Sequence, residues 1–174
     1  EFIIDFGAPE RFRCNIQKMM EIGKKGVLAL LCESSYSKND GYTSPKHKLT
    51  DKIESIFEDA TGRIIISSYA QNAFRTQEIA QLAKKYNRKI CFYGRDKYDN
   101  TNTIMRIARH TKRPILDIHP SYIADSKAIS DKKNMDKLVV LLSGSPRRIY
   151  HDILDIIDGG DEKLKLQESD TFIV

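Results

Sequence analysis

Gly62-Arg63-Ile64-Ile65-Ile66-Ser67-Ser68-Tyr69 decides how this chain folds. Three consecutive isoleucines with no polar alternation read as a short strand buried on both faces, the mark of a parallel sheet rather than an antiparallel one. Residues 27–31, 89–93 and 137–142 have the same character, short and rich in Val, Ile and Leu. Between these runs the apolar residues change period. Leu49, Ile53, Ile56, Phe57 and Ala60 recur at helical spacing, as do Ile79, Leu82, Ala83 and Tyr86, and then Ile149, Ile153, Leu154 and Ile157. A fainter pattern at Ile104, Ile107 and Ala108 marks one more helix. Repeated strand–helix units predict an α/β, Rossmann-like fold, a mostly parallel sheet with helices on both faces joined by right-handed crossovers.

Local punctuation supports that order. Ser44-Pro45 and Ser145-Pro146 read as N-caps followed by a proline at the first helical position. Gly62 and Asn87 stand where helices should stop before the next strand. Residues 111–136 hold Pro114, Pro120 and many polar side chains, and predict an irregular connection with at most a short strand over 115–118. Residues 1–26 predict a strand and a partly amphipathic helix carrying Ile16, Met19 and Met20. Both ends look like interrupted strands, as expected for a piece of a larger protein.

Composition bounds the function. The 174 residues suffice for one domain with a full core, and 40% hydrophobic with 30% charged residues is ordinary for a globular protein. A net charge of +5 favours a polyanionic partner such as nucleic acid. Three scattered cysteines, Cys14, Cys32 and Cys91, with no C-x-x-C pair, speak for a reducing, cytoplasmic setting and against a disulfide framework. No apolar run approaches a membrane span. His47, His110, His119 and His151 form no metal-ligand spacing, and neither a G-x-x-x-x-G-K-[ST] nor a G-x-G-x-x-G motif occurs.

In an open parallel sheet, ligands bind beyond the carboxyl ends of the strands. The residues that follow each predicted strand are Glu33-Ser34-Ser35, Ser67-Ser68-Tyr69-Ala70-Gln71-Asn72, Gly94-Arg95-Asp96 and Ser143-Gly144-Ser145. Each cluster has a plain reading as cap and turn residues. Together they offer hydroxyls, amides and cations along one edge. Ser143-Gly144-Ser145-Pro146 joins a strand to a helix start that suits a phosphate. Arg75 and Arg95 could grip phosphate oxygens or form surface ion pairs. Tyr42 and Tyr69 could stack on bases or pack internally. Glu33, at the end of an apolar run, needs a partner that the nearby sequence does not supply.

These segments resemble, in order, those of the β-CASP nucleases of the ribonuclease J type. Glu21-Ile22-Gly23-Lys24-Lys25-Gly26-Val27-Leu28-Ala29-Leu30-Leu31 is similar to the family's lead-in to its motif A, and Glu33-Ser34-Ser35-Tyr36 to the Asp/Glu-Ser-Thr element itself. Gly41-Tyr42-Thr43, the Gly62–Asn72 stretch, Arg88-Lys89-Ile90 with Gly94-Arg95, and Leu142-Ser143-Gly144-Ser145 resemble the segments that follow. The resemblance implies a β-CASP domain inserted in a metallo-β-lactamase-fold ribonuclease with two zinc ions, acting as endonuclease and 5′-to-3′ exonuclease on single-stranded RNA. It implies a strip of the metallo-β-lactamase domain over 1–35, a β-CASP domain over 36–168 and a return at 169–174. Glu33 would take the motif A role, orienting a histidine outside this chain. Glu1 falls where the family has a metal-bridging Asp, one methylene shorter. RNA contacts would come from Ser34, Ser35, Tyr42, Ser68, Asn72, Arg75, Arg95, Ser143, Gly144 and Ser145. After Ser145 the family's Gln-Gly-Glu-Pro-like run is replaced by Pro146-Arg147-Arg148-Ile149. The parent could form a homo-oligomer, and the piece alone would be inactive. Two other readings stand beside this one: a non-catalytic module for a small phosphorylated ligand, and a DNA-directed nuclease of the same family.

Overall fold

A computed structural model describes residues 4, 6, 10, 13–32, 34, 37–41, 49–69, 72–94 and 116–174. The chain forms two compact units, Glu1–Leu49 and Thr50–Val174.

In the first unit, helix α1 spans Ile16–Lys24, and the Asn15 side chain caps it by accepting a hydrogen bond from the Lys18 backbone N–H. None of its residues is buried. The strand expected over 27–31 is not formed: these residues carry no ladder, and Leu28 and Leu31 are fully exposed. An apolar run becomes a strand only when a neighbour pairs its backbone groups, and none of the described residues does so. Ile4 and Phe6, in the strand expected near the start, are likewise outside any ladder.

The second unit holds the core. Its elements run α2 (Thr50–Asp59), β1 (Ile64–Tyr69), α3 (Ala73–Lys85), β2 (Lys89–Tyr93), β3 (Leu138–Gly144), α4 (Pro146–Ile157) and β4 (Thr171–Ile173). The four strands form one sheet in the order β2-β3-β1-β4, every pairing parallel. Ile64 and Ile66 of β1 face α2 and α3 through Ile53, Phe57, Ile79 and Leu82. Ile65 faces the other way, toward Ile149, Ile153 and Ile156 of α4. The period of two thus splits one run of isoleucines between two cores, which is why it shows no polar alternation. Asn87 closes α3 with φ 52°, the left-handed conformation expected of a helix stop.

Residues 116–119 form no strand; the connection instead runs through 3-10 turns at Pro120–Tyr122, Ser126–Ser130 and Lys132–Lys137. It pairs with the sheet through a bridge between Ile90 and Ile123 and packs Ile129 into the core beside Ile65, Cys91 and Val140. The helix expected near 104–108 and the cap at Ser44-Pro45 lie outside the described residues.

Two buried arginines bind the unit together. Arg63 donates to Asp170 Oδ1 at 2.9 Å, to the Ile129 carbonyl at 2.7 Å and to the Lys165 carbonyl at 2.6 Å. Its second contact to Asp170 makes the pair bidentate. Arg88 donates to the carbonyls of Gly62 at 2.7 Å and Ala60 at 2.5 Å, satisfying the end of α2. Gly62 is required by close approach. A Cβ there would lie 2.2 Å from the Ser169 carbonyl oxygen, so the turn before β1 and the turn before β4 pack backbone to backbone.

Candidate nucleic-acid interface

The sheet order creates a crevice. From β1 the chain leaves through α3 on one face to reach β2; from the neighbouring β3 it leaves through α4 on the opposite face to reach β4. Adjacent strands whose following helices diverge to opposite faces mark a topological switch point, where open parallel sheets hold their ligands. Here that point lies at the carboxyl ends of β1 and β3, where Ser68 pairs in register with Ser143 and Tyr69 with Gly144.

Each flank of the crevice is the start of a helix. Asn72 caps α3, its side chain accepting from the Arg75 backbone N–H at 3.0 Å, and its own N–H donates to the Tyr69 carbonyl at 2.9 Å. Ser145 caps α4 with Pro146 behind it, but its hydroxyl makes no cap hydrogen bond. The positive ends of both helices therefore border the crevice, an environment that favours phosphate oxygens. Tyr69 stands half exposed at the strand end.

Of the residues singled out from the sequence, Ser68, Asn72, Ser143, Gly144 and Ser145 come together on this edge. Ser68 and Gly144 are buried, while Ser143 and Ser145 are partly open and Asn72 is exposed. Arg75 is engaged in an ion pair with Glu78, which also accepts from the Thr50 hydroxyl, so it ties α2 to α3. Ser34 is exposed in the first unit. Glu1, Glu33, Ser35, Tyr42 and Arg95 lie outside the described residues.

A second concavity, not anticipated from the sequence, opens beside β2. It is a cleft of about 390 Å³ lined by Tyr93, Gly94, Asp152, Asp155, Asp161 and Glu162, among others. Gly94 adopts φ 145°, and a Cβ there would lie 3.0 Å from the Ser143 carbonyl oxygen and 3.4 Å from Asp152 Oδ2. The Tyr93 hydroxyl donates to Asp161 at 2.8 Å, and Asp161 also accepts from the N–H groups of Lys163 and Leu164. An acidic wall repels phosphodiesters, so the cleft does not extend the β1–β3 crevice as a nucleic-acid track. Among the described residues, no group of three or more His, Cys, Asp or Glu could hold a metal ion.

Burial, reinforced by the hydrogen bond to Asp161, raises the Tyr93 pKa well above the ordinary tyrosine range. The folded chain therefore holds this proton more tightly than the unfolded chain. The stabilisation is complete below the unfolded value of about 10 and is lost as pH rises toward the folded value. Denaturant midpoints measured from pH 8 to 11.5 should fall more steeply for the native chain than for Tyr93→Phe.

Residues 61–174 match the family "Ribonuclease J, beta-CASP domain". The chain belongs to the ribonuclease J β-CASP family. Ribonuclease J 2 of Staphylococcus saprophyticus is 36% identical over 95 residues, 55% of this chain and 17% of that protein. Ribonuclease J 2 of Staphylococcus aureus is 35% identical over 95 residues, with the same coverage of each chain. An uncharacterized protein of Mycoplasma genitalium is 30% identical over 136 residues, 78% of this chain and 23% of its own length. The matched stretch of this chain thus spans about a sixth to a quarter of these relatives. The β-CASP match includes all four strands and both helices that border the crevice. Among the described residues no helix is long and apolar enough to cross a membrane.

Proposed function

We propose that the chain is the β-CASP region of a metal-dependent ribonuclease and that the β1–β3 crevice guides single-stranded RNA. The observation that carries this reading is the register of Ser68 with Ser143 between two diverging helix starts. Hydroxyls, an amide and two positive helix ends form a neutral-to-positive edge that suits a phosphate backbone without selecting bases. The proposed domain limits remain 1–35, 36–168 and 169–174. The described residues do not furnish a metal donor set; the two zinc ions implied by the family, bridged at Glu1, would take most ligands from elsewhere in the polypeptide. Glu33 would orient one of those ligands. Endonucleolytic and 5′-to-3′ exonucleolytic cleavage, cytoplasmic location and homo-oligomerisation of the parent belong to the same proposal.

Fluorescence anisotropy with a labelled single-stranded RNA tests it. Binding is expected to be weak and to fall as salt rises, because a few phosphate contacts release counterions. Ser143→Ala combined with Ser145→Ala should weaken it about threefold to tenfold, the effect of losing one or two neutral hydrogen bonds. Salt-independent binding, or none at millimolar concentration, would contradict the proposal. Tighter binding of a free nucleotide than of the oligomer would point instead to a small-ligand module. Preference for DNA over RNA of the same sequence would move the substrate to DNA. With added zinc or manganese the chain alone should leave RNA uncut.

A further inference from the structure

Tyrosines end both β1 and β2, and their surroundings differ. Tyr93, at the end of β2, is buried, and its hydroxyl donates to Asp161. Tyr69, at the end of β1, is 50% exposed, and among the described residues neither its ring nor its hydroxyl has a partner. A tyrosine that serves packing resembles the first; the second leaves an aromatic face in water. Side chains alternate along β1, so Tyr69 shares the face of Ile65, the one covered by α4. Its neighbour across the ladder is Gly144, and a Cβ on Gly144 would lie 3.6 Å from Ile149 Cγ1 and 3.9 Å from Arg148 Cβ. Those are ordinary contacts, and Gly144 has no positive φ, so neither crowding nor conformation requires glycine there. What the glycine does is leave a slot beside the Tyr69 ring, one strand spacing of about 4.8 Å away. The first turn of α4, which borders the slot through Arg148, carries exposed Arg147 and Arg148 and no acid.

We propose that Tyr69 is a stacking platform for one unpaired base, seated in the slot beside Gly144, with the two arginines of α4 meeting the adjoining phosphate. The proposal rests on the reading that the crevice receives RNA, and it adds a residue that tells single strands from duplexes. Phosphate contacts alone fit either form. A base inside a duplex is covered on both faces by its neighbours and cannot lie on the ring, whereas an unpaired base can. Every base has a π-face, so the platform gives strand selectivity without sequence selectivity.

Fluorescence anisotropy at low ionic strength, where phosphate contacts are strongest, tests it with labelled probes of about ten nucleotides. The probes are oligouridylate RNA, the same backbone with abasic riboses, and the oligouridylate paired to its complement. Tyr69→Leu should weaken binding of oligouridylate about fivefold to a hundredfold, the effect of one lost stack. Tyr69→Phe should keep the native affinity, because the ring persists and the hydroxyl has no partner among the described residues. On the abasic strand and on the duplex, the native chain and Tyr69→Leu should bind alike, which a merely structural role would not produce. Equal losses on every probe, no loss on oligouridylate, or a Tyr69→Phe chain as weak as the leucine variant would overturn the proposal and leave the crevice reading standing. Failure of the native chain to bind any probe would overturn the crevice reading, and this proposal with it.

Discussion

Replacing Asp170 with alanine is expected to remove about 3–5 kcal/mol of stability, because it leaves a buried guanidinium without its counter-charge. Arg63 and Asp170 are 1% and 2% exposed at their side chains, and water cannot replace the lost carboxylate. The remaining Arg63 partners, the carbonyls of Ile129 and Lys165, are dipoles and do not neutralise a full charge. A loss of this size is a large share of the roughly 5–15 kcal/mol available to a single domain. Urea denaturation followed by circular dichroism measures it directly. Asp170→Asn, which retains a side-chain oxygen, should lose less than the alanine variant. A loss below about 1 kcal/mol for Asp170→Ala would mean that the pair contributes no more than an exposed one. The pair also fixes topology. Asp170 immediately precedes β4, and the Thr171 N–H donates to the Arg63 carbonyl at 2.8 Å, so the two residues seat β4 beside β1.

The second large effect concerns where the domain begins. The family match starts at residue 61, after α2, yet Phe57 of α2 is 1% exposed in the core formed with Ile64, Ile66 and Ile79. Its ring lies 6.0 Å from that of Tyr86, the residue that caps the carboxyl end of α3. Phe57→Ala should therefore cost about 3–5 kcal/mol, the range for emptying a buried aromatic site. A cost below about 1 kcal/mol would show that α2 is an appendage rather than part of the folded unit. Thermal melts of this variant beside an Ile56→Ala control, a partly exposed position on the same helix, separate core loss from helix propensity.

The strands around the site were legible because burial on two faces leaves an unmistakable composition. The runs at 63–68, 89–93 and 137–142 appear as β1, β2 and β3 within two residues at each end. The same signal misled at 27–31, since composition reports the capacity to pair, and pairing needs a neighbour that the described residues do not supply. At the candidate site, the serines singled out near the strand ends fall within β1 and β3, where Ser68 lies in register with Ser143. What the sequence concealed were partnerships across distance. Arg63 reads locally as a strand's first residue, yet its carboxylate partner lies 107 positions away and leaves no periodic trace. Arg75 looked equally fit for phosphate or for an ion pair, and only the position of Glu78 under both Arg75 and Thr50 decides its packing role. The acidic cleft beside Tyr93 was hidden for the same reason, being assembled from β2, α4 and the loop that follows it.

The central claim is that RNA lies across the carboxyl edge between β1 and β3. Titrating single-stranded RNA into isotopically labelled chain and following backbone amide signals tests it most directly. The account predicts salt-sensitive shifts at Ser68, Asn72, Ser143 and Ser145, with Lys89, Leu138 and Thr171 at the opposite edge unmoved. Shifts confined to that opposite edge or to the acidic cleft, with the crevice silent, would contradict it.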